Sequence, residues 1–338
     1  MIRADASTPI GAVHVLSAVE RLRGIAVRTP MLTSSAVDDL VGRRVWVKAE
    51  NLQRTGSFKL RGAYNAVACM DEAQRARGVV AASSGNHAQA LALAAHLHQV
   101  SATVVIPADA PAAKTEAIRA LGARIVTYNR DSDRREAMVH QIARRDGLTI
   151  VPSANDYAVI AGAATVAWEM LQEVHDLAAI LVPVGGGGLA AGTALAASSQ
   201  HVKVFGVEPA AADDTLRSLR AGYPVPIPAP STIADGLGHT EPARLPFEIN
   251  QRLLTDVVAV PEEAIADAMA HLWRYFHSAA EPSGAVAFAG LLNAAGSLPD
   301  GPVGVVLSGG NVDWPAYRRL LDIAMEPTEQ ETHAAPVL

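Results

Sequence analysis

A lysine at the start of a helix is a poor cation and a good nucleophile. In Thr55-Gly56-Ser57-Phe58-Lys59-Leu60-Arg61-Gly62-Ala63, Thr55 or Ser57 can cap a helix beginning near Phe58, which puts Lys59 in its first turn. The partial positive charge of a helix N-terminus disfavours an ammonium there. A neutral amine is what Schiff-base chemistry requires. By residue type alone, a solvated surface lysine is the commoner reading, because no partner in the sequence marks Lys59 out. A second feature points to an anion: Gly185, Gly186, Gly187 and Gly188 follow an apolar run and open a helical stretch. Consecutive glycines let several backbone N–H groups turn inward where the helix already favours negative charge. A phosphate is the natural guest, since a plain strand-to-helix turn needs only one glycine. Gly185, Gly187 and Ala190 also fit the loose dinucleotide pattern, with Glu208 about 20 residues on, so an NAD-dependent oxidoreductase is a rival reading. Ser308-Gly309-Gly310-Asn311 ends the last apolar run, where open α/β sheets gather ligands. An ordinary Gly-Gly turn explains that segment nearly as well.

The elements that must hold these residues are legible as a repeated pattern. Short apolar runs at 79–82, 102–106, 124–128, 179–184, 202–207 and 303–307 each lead into a turn and a helical stretch. That pattern belongs to parallel strands covered on both faces, so the fold class is α/β, with open, mostly parallel, twisted sheets flanked by helices. The chain has 338 residues, too many for one simple core, so two lobes are expected. Strands at 79–82, 102–106, 124–128 and 149–151 predict a small mobile domain over 78–152, with 1–77 and 153–325 forming the large one. Proline at every second position from 224 to 230 gives an extended connector. The polar stretch 326–338 reads as a disordered tail.

Half of the residues are apolar but only 4% are aromatic, so the core must be built from Ala, Val, Leu and Ile. The net charge of −6 excludes a nucleic-acid partner, which needs a concentrated basic face. No apolar run approaches the roughly 18 residues that span a bilayer, and the N-terminus lacks the basic-then-apolar order of a signal peptide. Cys69 is the only cysteine. An internal disulfide is therefore impossible, a reducing, cytoplasmic location fits, and Cys69 reads as a buried small hydrophobe.

Four motifs, in order along the chain, resemble the two-lobed fold-type II pyridoxal-phosphate enzymes (tryptophan synthase β-like), in particular threonine/serine ammonia-lyases and serine racemase. They are 55–63, Ser83-Ser84-Gly85-Asn86-His87-Ala88-Gln89, Pro183-Val184 with the four glycines, and Ser308-Gly309-Gly310-Asn311-Val312-Asp313. The likeness runs from about Arg28 to Asp313. It implies a pyridoxal 5'-phosphate bonded to Lys59, with Phe58 beside its ring and Gly185, Gly186, Gly187 and Gly188 around its phosphate. Asn86 would bond its phenolic oxygen, and the neutral hydroxyl of Ser308 would face its pyridine nitrogen, an arrangement that suits elimination.

By the same resemblance Ser83, Ser84, Gly85, Asn86 and His87 would hold the substrate carboxylate, and Lys59 would act as general base. The expected activity is β-elimination of water from a small hydroxy amino acid of the threonine/serine type, giving a 2-oxo acid and ammonia. Ser84, on the ring face opposite the lysine in serine racemase-like members, would allow racemisation of serine or aspartate, or would only bind carboxylate or water. Arg135 and His239 would meet the substrate side chain, where together they would favour a β-carboxylate, so 3-hydroxyaspartate stands beside serine and threonine as a substrate. Glu208, the carbonyl of Ala212 and Asp214 resemble a cation site for Mg²⁺ or Ca²⁺, a role that competes with Asp213 or Asp214 capping the next helix. A homodimer is usual for the family. Ala163, where relatives usually carry Gln, puts local packing or lobe closure in question, and the chain ends too soon for the domain that gives isoleucine feedback.

Overall fold

The computed structural model describes residues 10–83, 85–110, 112–129 and 133–325. Its strands are β1 (Met31–Leu32), β2 (Val45–Ala49), β3 (Val79–Ala82), β4 (Ala102–Pro107), β5 (Arg124–Tyr128), β6 (Thr149–Ile150), β7 (Ala179–Pro183), β8 (Lys203–Pro209), β9 (Asp256–Val260) and β10 (Val303–Leu307). They form a six-stranded sheet in the order β1-β2-β10-β7-β8-β9 and a four-stranded sheet in the order β5-β4-β3-β6. Every pairing is parallel except β1 with β2. Each strand read from the sequence is present, with end positions shifted by a residue or two. Three were missed. β1 is only two residues long and β2 is the run Val-Trp-Val-Lys-Ala, interrupted by Lys48; β9, an edge strand, carries the apolar run Val257-Val258-Ala259-Val260, a signal as long as that of β3, and was simply overlooked.

Strand order explains how distant motifs meet. β2, β10 and β7 are neighbours, so the segments leaving their carboxyl ends lie side by side: the lysine segment after β2, Ser308 after β10 and the glycines after β7. The 83–87 segment leaves β3, which sits inside the other sheet. Aliphatic and alanine side chains fill the space between layers, as in the fully buried β7 and β10 and the helix Pro282–Ala294.

The helix that begins with Lys59 is unusually well fixed. It crosses the helix Tyr157–Glu173 at Gly62 and Gly162, where a Cβ on Gly162 would strike the Arg61 carbonyl and one on Gly62 would lie 2.9 Å from the Val159 carbonyl. Beneath this crossing lies a buried quartet of charges. Arg61 donates to Glu50 through Nε at 2.8 Å and Nη2 at 2.7 Å, and to Glu169 through Nη1 at 2.7 Å and Nη2 at 2.9 Å. Lys48 Nζ donates to Glu169 Oε2 at 2.7 Å and to the Thr29 carbonyl at 2.7 Å. Two cations face two carboxylates, so the cluster is neutral and its donors are met, the condition under which buried charge is tolerated. Ala163 is buried in the same apolar cluster as Val166 and Met170. Cys69 is a correction: it follows the last turn of the helix Lys59–Ala68 and is exposed, not buried. No helix among the described residues is long and apolar enough to cross a membrane. The tail at 326–338 lies outside the described residues.

Candidate active site

Phe58, Lys59, Ser83, Gly85, Asn86 and His87 line one cavity of about 250 Å³ together with Gly185 to Gly188, Ser308, Arg135 and His239. The structure thus gathers every residue expected to touch cofactor or substrate except Ser84, which lies outside the described residues.

Lys59 is the first residue of its helix, as expected, but neither Thr55 nor Ser57 caps it. Thr55 is in the left-handed region at φ 68°, Ser57 is extended, and both hydroxyls are buried without a partner. The backbone after β10 does the capping work instead. Phe58 N–H donates to the Ser308 carbonyl at 3.1 Å, and Gly310 N–H donates to the Gly56 carbonyl at 3.0 Å. The lysine segment is therefore stitched to the Ser308 segment by backbone bonds alone. Lys59 Nζ lies 4.9 Å from the Phe58 ring centre and donates to the Ser153 carbonyl at 3.2 Å. Desolvation lowers its pKa to about 8, against the opposing pull of Glu281, which keeps a useful fraction neutral near physiological pH.

Gly185 to Gly188 are all buried, and none of their N–H groups meets an acceptor among the described residues. Buried backbone donors are almost always paired; four orphans at a helix N-terminus are a cradle for a dianion. The turn has no room for side chains. A Cβ on Gly185 would lie 3.0 Å from His239 Cδ2, one on Gly188 3.1 Å from Ala154, and Gly187 has φ +82°. These residues fit a bound phosphate.

Asn86 opens the helix Asn86–Leu97. Its Nδ2 donates to Glu281 Oε1 at 2.5 Å and its Oδ1 accepts from Asn311 Nδ2 at 2.7 Å, leaving one amide hydrogen for a ligand. Ser83 Oγ accepts the Gly85 N–H at 3.3 Å. His87 is buried, with Nε2 2.9 Å from the Val151 carbonyl, so that nitrogen carries the ring proton. Burial and the Lys59 charge bring its pKa down to about 4, which leaves it neutral and unfit to shuttle protons. His239 is likewise held at about 4, by burial first and then by Lys59 and Arg135, with Glu136 opposing. Arg135 pairs with Glu136 at 2.6 Å. Ser308 is buried, with its hydroxyl 3.5 Å from the Ser283 carbonyl.

Sequence reasoning missed Glu281. It lines the cavity, binds Asn86 and acts electrostatically on Lys59. Its only signal was the Glu-Pro pair, which reads as an ordinary helix start.

The expected cation ligands are elsewhere. Glu208 ends β8, Ala212 closes the turn Ala210–Ala212, and Asp214 starts the helix Asp214–Ala221. Glu208 Oε1 accepts the Leu216 N–H at 2.8 Å, while its Oε2 and both Asp214 oxygens are buried without partners. Neither Asp213 nor Asp214 makes a side-chain cap; Asp213 pairs with Arg217 at 2.7 Å. No cluster of three or more His, Cys, Asp or Glu suited to a metal occurs among the described residues.

Comparison with known proteins gives this geometry a family. Residues 22–309 match the model for "Pyridoxal-phosphate dependent enzyme". The chain belongs to the pyridoxal-phosphate dependent enzymes. It is 44% identical to an L-threo-3-hydroxyaspartate ammonia-lyase from Pseudomonas sp, over 91% of this chain and 97% of that protein. It is 40% identical to a serine racemase from Schizosaccharomyces pombe, over 91% and 96%. The crystal structure of serine racemase from Dictyostelium discoideum superimposes with a TM-score of 0.84 at 39% identity, covering 89% of this chain and 98% of that one. Family membership removes the nicotinamide reading of Gly185, Gly187, Ala190 and Glu208.

Proposed function

We propose that this enzyme is a pyridoxal-phosphate-dependent ammonia-lyase that eliminates water from a small 2-amino-3-hydroxy acid; the resulting enamine tautomerises and takes a water back on hydrolysis, so the net products are a 2-oxo acid and ammonia. Serine, threonine and 3-hydroxyaspartate all fit that description, and the site favours 3-hydroxyaspartate. One observation carries the reading: a single cavity holds a lysine amine of pKa about 8, an anion cradle, and Arg135 with His239. The first two suit the cofactor; the last two suit a second carboxylate. The relative from Pseudomonas sp and one from Saccharomyces cerevisiae, 43% identical, are both L-threo-3-hydroxyaspartate ammonia-lyases.

Bound in this cavity, the cofactor supplies the electron sink that acidifies the substrate α-carbon. Gly185 to Gly188 hold its phosphate, Phe58 packs beside its ring, Asn86 reaches its phenolic oxygen and Ser308 offers a neutral hydroxyl to the ring nitrogen. The N-terminus of the helix Asn86–Leu97, with Ser83, Gly85 and His87, binds the α-carboxylate. Lys59 takes the α-proton; a base of pKa near 8 is matched to that task at neutral pH, and the Ser153 carbonyl steadies the ammonium that forms. Arg135 turns from Glu136 to the β-carboxylate, and His239 donates to it. Ser84, carried over from the sequence resemblance alone, would add racemisation. Residues 78–152, with their own sheet, close over the substrate as a unit.

The test is direct. Cofactor-loaded enzyme is given L-serine, L-threonine and L-threo-3-hydroxyaspartate in turn, with 2-oxo acid release and the visible absorbance recorded. Release fastest from hydroxyaspartate is expected. No visible band after loading would sink the lyase; a band with preference for serine would sink only the dicarboxylate assignment. The unpartnered oxygens of Glu208 and Asp214 support a Mg²⁺ or Ca²⁺ between them and the Ala212 carbonyl. A chelator should then lower the melting temperature and Ca²⁺ restore it. A cytoplasmic homodimer, the remaining part of the reading, is tested by light scattering of the purified enzyme and by cell fractionation.

A further inference from the structure

The glycine turn is held open from behind. Asn250, in the helix Arg244–Leu253, is 1% exposed and donates from Nδ2 to the Gly187 carbonyl at 3.3 Å. A carbonyl only accepts, so the amide orientation is fixed by its partner. The same carbonyl accepts the Ala191 N–H at 2.9 Å, the first bond of the helix Gly188–Ala197. In a trans peptide, C=O and N–H point in opposite directions. A donor that draws the Gly187 carbonyl backward therefore drives the Gly188 N–H forward, out of the free end of the helix. Gly187 needs this help, since φ +82° is one of two broad wells open to glycine. The helix bearing Asn250 is itself tied to the site's rim, where the Leu245 N–H donates to Asn155 Oδ1 at 2.9 Å. Pro246 closes the other side, 3.0 Å from where a Gly187 Cβ would stand.

We propose that Asn250 is a positioning residue for the cofactor's phosphate, acting through the Gly187–Gly188 peptide and touching neither cofactor nor substrate.

The experiment compares wild type with Asn250→Ala and Asn250→Asp, stripped of cofactor and titrated with pyridoxal phosphate or with pyridoxal, which lacks the phosphate. Asn250→Ala should weaken pyridoxal phosphate roughly three- to tenfold, the range for one neutral buried hydrogen bond, and leave pyridoxal unchanged. Turnover at saturating pyridoxal phosphate should change far less than affinity. Asn250→Asp keeps the shape but sets a carboxylate against the Gly187 carbonyl and near the phosphate, so it should weaken pyridoxal phosphate more than alanine does. Gln251→Ala, on the same helix but bonded to the Gly222 carbonyl, is the control and should bind both like wild type. Equal weakening of pyridoxal and pyridoxal phosphate would overturn the proposal, as would wild-type affinity in the Asp variant. If the alanine variant does not fold, the Asp comparison decides alone, with the melting temperature of the stripped protein confirming an intact fold.

Discussion

Replacing Arg61 with methionine is the sharpest test of how the lysine helix is held. The substitution keeps the side chain's bulk and removes the one group that bonds both Glu50 and Glu169. Two carboxylates would then share Lys48, whose ammonium bonds Glu169 and the Thr29 carbonyl but not Glu50. Stripping one partner from a buried ion pair costs about 3–5 kcal/mol. With an unfolding entropy of roughly 2.1 cal/mol/K per residue over 338 residues, the melting temperature should fall by roughly 4–7 °C. Calorimetry on cofactor-free protein is the assay, because a ligand that binds only the folded state would mask the loss. The pH dependence checks the cause. Burial raises the Glu50 carboxyl, but the charge and hydrogen bonds of Arg61 outweigh it and hold the group below its ordinary 4.5. Its contribution is therefore present above pH 4.5 and lost as pH falls through the lower folded value. In the variant only the Thr29 hydroxyl and the Lys48 charge still oppose burial, the larger effect, so the sign reverses and the gap between the proteins should be wide at pH 8 and narrow near pH 4. Adding Glu50→Leu to Arg61→Met should recover more than half of the loss, since it deletes the stranded charge. A gap that is flat with pH, or a double variant less stable than the single, would refute the electrostatic reasoning.

Other outcomes follow from the same geometry. His239→Leu and Arg135→Gln should each raise KM for hydroxyaspartate by about 10-fold or more, the worth of a hydrogen bond to a charged group, with little change for serine; equal effects on both substrates would refute the dicarboxylate role. In cofactor-free protein, burial and the weaker opposing pull of Glu281 set the Lys59 amine at about 8. Its reductive methylation, followed by mass spectrometry, should rise about tenfold per pH unit below that value and level above it, with the midpoint moving down in Glu281→Gln. Gly162→Ala drives a methyl into the Arg61 carbonyl and should lose about 1–3 kcal/mol in denaturant unfolding. Gly296→Ala, which meets open space, should lose nothing comparable.

Local chemistry was legible in the sequence wherever it depends on one segment. Four consecutive glycines after an apolar run suggest an anion site, and the structure places them at a helix N-terminus with inward N–H groups that would suit one. Lys59 at a helix start was readable too, though the reason given for the start was wrong. Ser57 and Thr55 look like caps because their side chains suit the role. In the fold, the strand-end backbone around Ser308 takes the Phe58 N–H first, and the hydroxyls are left without partners. That contact joins positions about 250 residues apart, and no local pattern encodes it. The same limit hid Glu281 and Asn250. Each is an unremarkable polar residue near a helix terminus until sheet order brings it against Asn86 or Gly187.

The buried quartet carries this argument one step further. Nothing in the sequence sets Arg61 apart, two residues beyond a reactive lysine, yet its guanidinium is enclosed in the first turn of a helix, where a cation is opposed by the dipole. Such placement is tolerated only because Glu50 and Glu169 arrive from β2's end and from the crossing helix. Lys59 and Arg61 are thus two cations at one helix N-terminus with opposite fates. One is fully paired and locked in its charged form. The other bonds one carbonyl, and burial pushes it toward neutrality against the weaker pull of Glu281, so Lys59 offers a titratable amine where the always-charged guanidinium of Arg61 cannot.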